Sequence, residues 1–238
     1  MTQATIISCQ QRTETREETA RQLRAVGLEP HIVLSPCDPL ANRATHLAPG
    51  SRGNATATAK ALQRCLDLEA DCLFCEDDIT LASDFPAFLG MARSSGAVTW
   101  LFMLERPEKM AAHYPPALIK RIESGHPMPR ALIEPLRVGD IRGSQCVYLP
   151  HAFLVRTIHD RLPYAGVPSD WFIASEAARL KWPARVAMPN PVQHRHVRVA
   201  RSADRLDKAS RSYHLPRLEG HAQDAHEGHS LNAVHGQH

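Results

Sequence analysis

The sequence predicts an α/β fold, a single domain on a central, mostly parallel sheet flanked by helices. Three observations carry this. The chain opens strand–helix–strand, the order that builds parallel sheets. Its strand candidates are short, continuous apolar runs closed by breakers, as buried strands are. Its 238 residues, 43% hydrophobic and 22% charged, suffice for one packed domain rather than a disordered chain. The domain is expected over residues 1–218, with a flexible, His-rich tail over 219–238.

Residues 4–9 read as the first strand. A helix follows over 13–26, with Thr13 as its N-cap and Gly27 to end it. Residues 31–35 make the second strand, and the Pro-, Asn- and Gly-rich stretch 36–53 a long loop. Asn54 is placed to cap a helix over 54–69 whose Ala57, Ala61, Cys65 and Leu68 form a narrow apolar face. Residues 71–75 are a buried strand with three acids behind it. Then come a helix over 84–95, a strand over 97–104 and a Pro-rich connection of low periodicity over 105–140. The remainder reads as a strand over 143–149, helices over 150–161 and 168–180, and a strand over 185–188.

Several classes drop out. No apolar run approaches about 18 residues, so no transmembrane segment is expected. The N-terminal residues lack the pattern of a secretory signal, so a cytoplasmic protein is expected. Six cysteines in a chain of this length are no small secreted framework. Cys72 and Cys75 form a C-x-x-C within a strand, where residues three apart face opposite ways; they are expected to be structural thiols. The net charge of +3 averages two opposed segments. Six acids fall in residues 66–80, whereas residues 185–217 hold eight Arg or Lys against two Asp, 8 − 2 = +6. That basic strip fits a solvated helix face, donor phosphates or a polyanionic acceptor.

The sharpest feature is Glu76-Asp77-Asp78. Open α/β sheets bind ligands beyond the carboxyl ends of their strands. Three adjacent acids there repel one another unless a cation or hydrogen-bond donors compensate. Carboxylate oxygens suit Mg²⁺ or Mn²⁺, which can bridge protein and phosphate. The competing reading is a solvated acidic turn.

With this run in place, the chain resembles a GT-A-fold glycosyltransferase, and among these the family-25-type lipooligosaccharide and collagen hydroxylysine sugar transferases. Three stretches carry the resemblance: Gly50–Leu66, Leu73–Phe85 and Gly143–Leu180. The last includes Gly143-Ser144-Gln145-Cys146-Val147-Tyr148 and Pro168-Ser169-Asp170, similar to a G-[ST]-x-x-x-Y strand and a P-x-D helix start. Thr56, Thr58 and Lys60 stand in the helix where the family usually carries a Ser-His pair.

The resemblance implies a GT-A-like (Rossmann-like) sheet and a metal-dependent, inverting hexosyl transfer. The donor is a nucleotide-diphosphate sugar and the acceptor a hydroxyl of a glycan or lipooligosaccharide. Asp78 is then the first choice of metal ligand, with Glu76 or Asp77 on the donor ribose or a metal-bound water. A late histidine, His194 or His196, completes the metal sphere, and an imidazole favours Mn²⁺ over Mg²⁺. Ser8 and Arg12 lie near the nucleotide, Arg12 as a bidentate phosphate partner or else as a surface charge. Arg52 and Asn54 meet the diphosphate at a helix N-terminus. Asp170 is the base for the acceptor hydroxyl, against a competing reading as an ordinary helix cap. Trp171 stacks on a sugar or nucleobase, or packs into the core.

Other functions compete. DNA with a hydroxylated base as acceptor would use the basic strip and a flipped base. A noncatalytic nucleotide- or metal-binding module would bind the donor without turnover. A nucleotidyltransferase would need a Gly-rich loop after the first strand, and none follows Ser8.

Overall fold

The computed structural model describes residues 1–35, 49–102, 114, 116–124, 128–141, 143–159 and 167–195. The expected tail, His196 and most of the basic strip lie outside them. The strand–helix–strand opening forms as expected: β1 (Thr2–Cys9), α1 (Thr13–Ala25) and β2 (Pro30–Ser35), with β1 and β2 parallel. Gly27 follows α1 at φ +78°, a left-handed conformation that only glycine adopts without strain. Thr13 is the first helical residue rather than the cap, which is Arg12 and makes no side-chain cap bond.

The next helix, α2 (Pro49–Asp67), begins five residues earlier than expected. Proline at a first helical position is preorganised in φ and lacks only an N–H that has no helical acceptor there. Asn54 therefore lies inside α2 and is not its cap. Strand β3 (Asp71–Glu76) extends one residue past expectation and includes Glu76. After it come β4 (Ile79–Leu81), α3 (Phe85–Ser95) and β5 (Val98–Trp100). The stretch expected as a plain connection holds a helix, α4 (Pro116–Glu123), and an edge strand, β6 (Ala131–Ile133). Three residues are too few to show a period, which hides β6 from pattern reading.

The chain then forms β7 (Cys146–Leu149), a single helical turn α5 (His151–Leu154), α6 (Ser169–Arg179), β8 (Ala184–Met188) and β9 (Val192–His194). The helix expected over 150–161 stops after one turn. Its end tightens into a three-residue bond, with Arg156 N–H donating to the Phe153 carbonyl at 3.0 Å.

Seven strands make one sheet in the order β2-β1-β3-β7-β5-β8-β6. Strands β1, β2, β3, β5 and β8 run one way, and β7 and β6 run against them. The sheet is mixed, with β7 antiparallel at its centre. Strands β4 and β9 form a separate antiparallel pair.

Each face of the large sheet has its own core. Cys72 and Phe74 pack with Ala57, Ala61 and Leu62 of α2 and Ile173 and Ala177 of α6. Leu73 and Cys75 pack with Ala20 and Leu23 of α1 and Phe85, Phe88 and Leu89 of α3. Cys72 and Cys75 thus face opposite sides, as the strand period requires. Both are buried free thiols. Among the described residues no helix is long and apolar enough to cross a membrane.

Candidate metal centre

Strand β3 delivers Glu76 at its carboxyl end, and the chain turns through Asp77 and Asp78 into β4. Strand β9 pairs antiparallel with β4, setting His194 opposite Ile79. This small ladder returns a histidine to the acidic turn from 116 residues away. One ligand atom from each of Glu76, Asp78 and His194 lies within 4.8 Å of the other two.

The three acids have different partners. The Asp77 carboxylate is consumed by structure: Ser8 Oγ donates to Oδ2 at 2.6 Å, and Arg12 Nη1 pairs with Oδ1 at 2.7 Å. Thr19 Oγ1 also donates to the Asp77 carbonyl at 2.8 Å. Asp78 Oδ2 accepts from Arg12 Nη2 at 2.6 Å and faces His194 Nε2 at 3.2 Å. Asp78 Oδ1 is buried with no hydrogen-bond partner. Glu76 Oε1 accepts from Ser144 Oγ at 3.2 Å.

Burial and the Asp78 charge raise the Glu76 carboxyl to about 7. Burial also acts to raise Asp78, but His194 and Arg12 outweigh it and hold this carboxyl below its ordinary value. Burial opposes the His194 charge, yet Asp78 and Glu76 lift the imidazole above its ordinary value. Asp77 is raised by burial, which Ser8 and Arg12 only partly offset. The site thus concentrates negative charge that Arg12 and His194 balance internally.

These residues fit a divalent cation. Two carboxylates and an imidazole form an O,O,N donor set of the kind Mn²⁺ accepts, while Mg²⁺ prefers oxygen alone. The orphaned Asp78 Oδ1 is the stronger indication. A buried carboxylate oxygen without a donor is costly, and a cation is one partner that removes the cost.

The other expected site residues lie around this centre or outside the description. Asp170, in the first turn of α6, accepts the Gly143 N–H on Oδ2 at 3.0 Å. It makes no side-chain cap bond, and the capping residue is Pro168. Gly143 sits at φ +97°, and the next residue, Ser144, holds Glu76. Two consecutive residues therefore link Asp170 to Glu76. Asn54 Oδ1 accepts from Ser169 Oγ at 2.7 Å and Thr58 Oγ1 at 3.2 Å, tying α2 to α6. Its place within α2 corrects the expectation of an N-terminal cap. Arg12 puts one terminal nitrogen on each aspartate rather than standing clear as a phosphate fork. Arg52 lies in the first turn of α2, but its side chain, like all of His196, is outside the described residues. Trp171 is 42% exposed and so is not a core residue.

The sequence reading missed two contributors. Ser144 stood within a quoted motif without a role. Arg195 carries no individual role in the basic strip, which fits a solvated helix face, donor phosphates or a polyanionic acceptor, yet its side chain turns inward to Thr15 and Thr19 of α1. Gln145, directly opposite Glu76 across the ladder, has a buried Oε1 with no partner. No protein-family model matches this chain, and no curated protein matches it by sequence.

Proposed function

We propose that the chain is a metal-dependent glycosyltransferase of the GT-A type. It transfers a sugar with inversion from a nucleotide-diphosphate sugar to an acceptor hydroxyl on a glycan or lipooligosaccharide. The observation that carries this reading is the Glu76–Asp78–His194 group at the carboxyl end of β3. Its support is the position, the end of the sheet where α/β folds bind their ligands, and the donor set, which suits Mn²⁺.

Glu76, Asp78 and His194 hold the cation, which when bound supplies Lewis-acid stabilisation of the departing diphosphate. Arg12 and Ser8 fix the acidic turn so that Asp78 keeps Oδ1 free for this task. Asp170 accepts the proton of the acceptor hydroxyl, oriented by the Gly143 amide. The Ser144 hydroxyl fixes Glu76 on the same loop, so the metal and the base share one support.

A panel of nucleotide sugars, assayed with Mn²⁺ for donor hydrolysis and transfer, tests the proposal. Asp78→Ala is expected to abolish both activities. Asp170→Asn is expected to abolish transfer while leaving donor binding intact. The assignment fails if Asp78→Ala retains Mn²⁺-dependent turnover. Donor binding without turnover for any acceptor would favour a noncatalytic module.

A further inference from the structure

His194 and Asp78 belong to segments far apart in sequence, so something must hold β9 against the acidic turn. The β4–β9 pairing is short, three residues on each side. Arg195, the residue after His194, extends it. Its backbone N–H donates to the Asp78 carbonyl at 2.6 Å, adding one rung beyond the Ile79–His194 pair. Its side chain makes a second attachment. Nη2 donates to the Thr15 carbonyl at 3.0 Å and to Thr19 Oγ1 at 2.7 Å, and lies 3.4 Å from the Asp77 carbonyl.

Thr19 completes the connection. Its hydroxyl accepts from Arg195 and donates to the Asp77 carbonyl at 2.8 Å. Arg195, Thr19 and the backbone of Asp77 and Asp78 thus form one closed hydrogen-bonded circuit joining β9, α1 and the acidic turn. A threonine hydroxyl has one proton to give and lone pairs to receive with, so it can serve both partners at once. Burial holds the Arg195 pKa below its ordinary value, an effect that Glu18, Asp78 and Asp77 only partly offset.

We propose that Arg195 is a positioning residue of the metal centre, locking β9 to α1 and to the Asp77–Asp78 backbone so that His194 stays opposite Asp78. The proposal rests on the metal-centre reading above. It assigns a role to a side chain that binds α1 and the backbone of the acidic turn rather than any candidate ligand atom. Groups of this kind, which orient ligands from behind, typically govern metal affinity by roughly 10–100-fold.

The test is Mn²⁺ titration of the full chain, following free Mn²⁺ by its EPR signal. The wild type is compared with Arg195→Met, Arg195→Lys and Thr19→Val, and circular dichroism reports folding. Arg195→Met is expected to weaken Mn²⁺ binding at least about tenfold with the fold retained. Arg195→Lys is expected to restore part of the loss, because an ammonium can reach Thr19 but cannot reproduce the guanidinium geometry. Thr19→Val cuts the same circuit from the α1 side and is expected to lower affinity in the same direction. It also decides the matter if Arg195→Met fails to fold.

A merely structural role predicts a lower melting temperature with unchanged affinity per folded molecule. That result for Arg195→Met and Thr19→Val overturns the proposal while leaving the metal centre standing. A wild type that takes up no Mn²⁺ overturns the metal-centre reading, and the role of Arg195 with it.

Discussion

Strand β3 begins at one aspartate, Asp71, and leads two residues past its end to another, Asp78. The two are treated differently. Asp71 has one neutral donor on each oxygen: His151 N–H on Oδ1 at 2.9 Å and Tyr148 O–H on Oδ2 at 2.8 Å. Burial and the Asp71 charge raise the Tyr148 phenol above its ordinary value, so it remains a donor. Asp78 crowds the Arg12 guanidinium and the His194 imidazole onto Oδ2 and leaves Oδ1 buried and unpaired. A carboxylate satisfied at every oxygen is part of the framework. One that is buried, paired on one side and empty on the other is poised for a ligand.

The largest effect expected from this contrast is on Asp78. Asp78→Asn preserves shape and removes the charge. Because loss of an outer partner costs roughly 10–100-fold in metal affinity, loss of a ligand is expected to cost at least about a hundredfold. Isothermal titration with Mn²⁺ measures it, and near-normal binding would break the contrast.

Glu76 gives the second prediction, in pH. Its carboxyl is raised in the folded protein to about 7, against an ordinary 4.5. A folded pKa above the unfolded one means the native state holds its proton more tightly. Stability from this group is therefore complete below about pH 4.5 and is lost as pH climbs through about 7. His194, also raised, acts in the same direction. Metal-free stability is expected to fall between pH 5 and about 8, and Glu76→Gln to flatten part of that slope. Mn²⁺ affinity should rise over the same range, since cation and proton compete for these groups. Denaturant melts and Mn²⁺ titrations across pH check both signs, and a flat wild-type profile would contradict them.

Asp71→Asn sharpens the contrast from the other end. One donor of the Tyr148–His151 pair loses its acceptor, at a cost of about 1–3 kcal/mol in unfolding free energy. Mn²⁺ affinity is expected to stay at the wild-type value. Asn54→Ala is the smallest change, with loss of about 1 kcal/mol as Ser169 loses its acceptor while Thr58 keeps the residue-54 backbone carbonyl at 2.9 Å. Denaturant midpoints measure both.

Some of the centre was legible from the chain. An apolar strand running directly into Glu76-Asp77-Asp78 placed three acids at the carboxyl end of a strand, because burial and breakers leave a strong local mark. His194 was legible as a candidate only through family resemblance. The resemblance singled out Asp78 among the acids, but no local pattern did: Asp77 and Asp78 share Arg12, and only the fold turns Asp77 to Ser8 and Asp78 to His194. The inward turn of Arg195 was not legible, because a basic run looks the same whether its members face solvent, a polyanion or α1. Asn54 was misread as a cap because Pro49 offered an earlier helix start.

The sequence by itself determined the α/β class, the opening parallel unit, the buried strand β3 and the acid cluster behind it. These follow from short-range rules of apolar runs, breakers and the spacing of like charges. The tertiary structure alone decided that β7 runs antiparallel through the centre of the sheet, because an apolar run has no direction until its neighbours are chosen. It alone decided which carboxylate oxygen is left empty, because the Ser8–Arg12 turn, Ser144 and His194 arrive from three separate segments. Those pairings depend on backbone geometry summed over the whole fold, and no single segment of the chain contains that information.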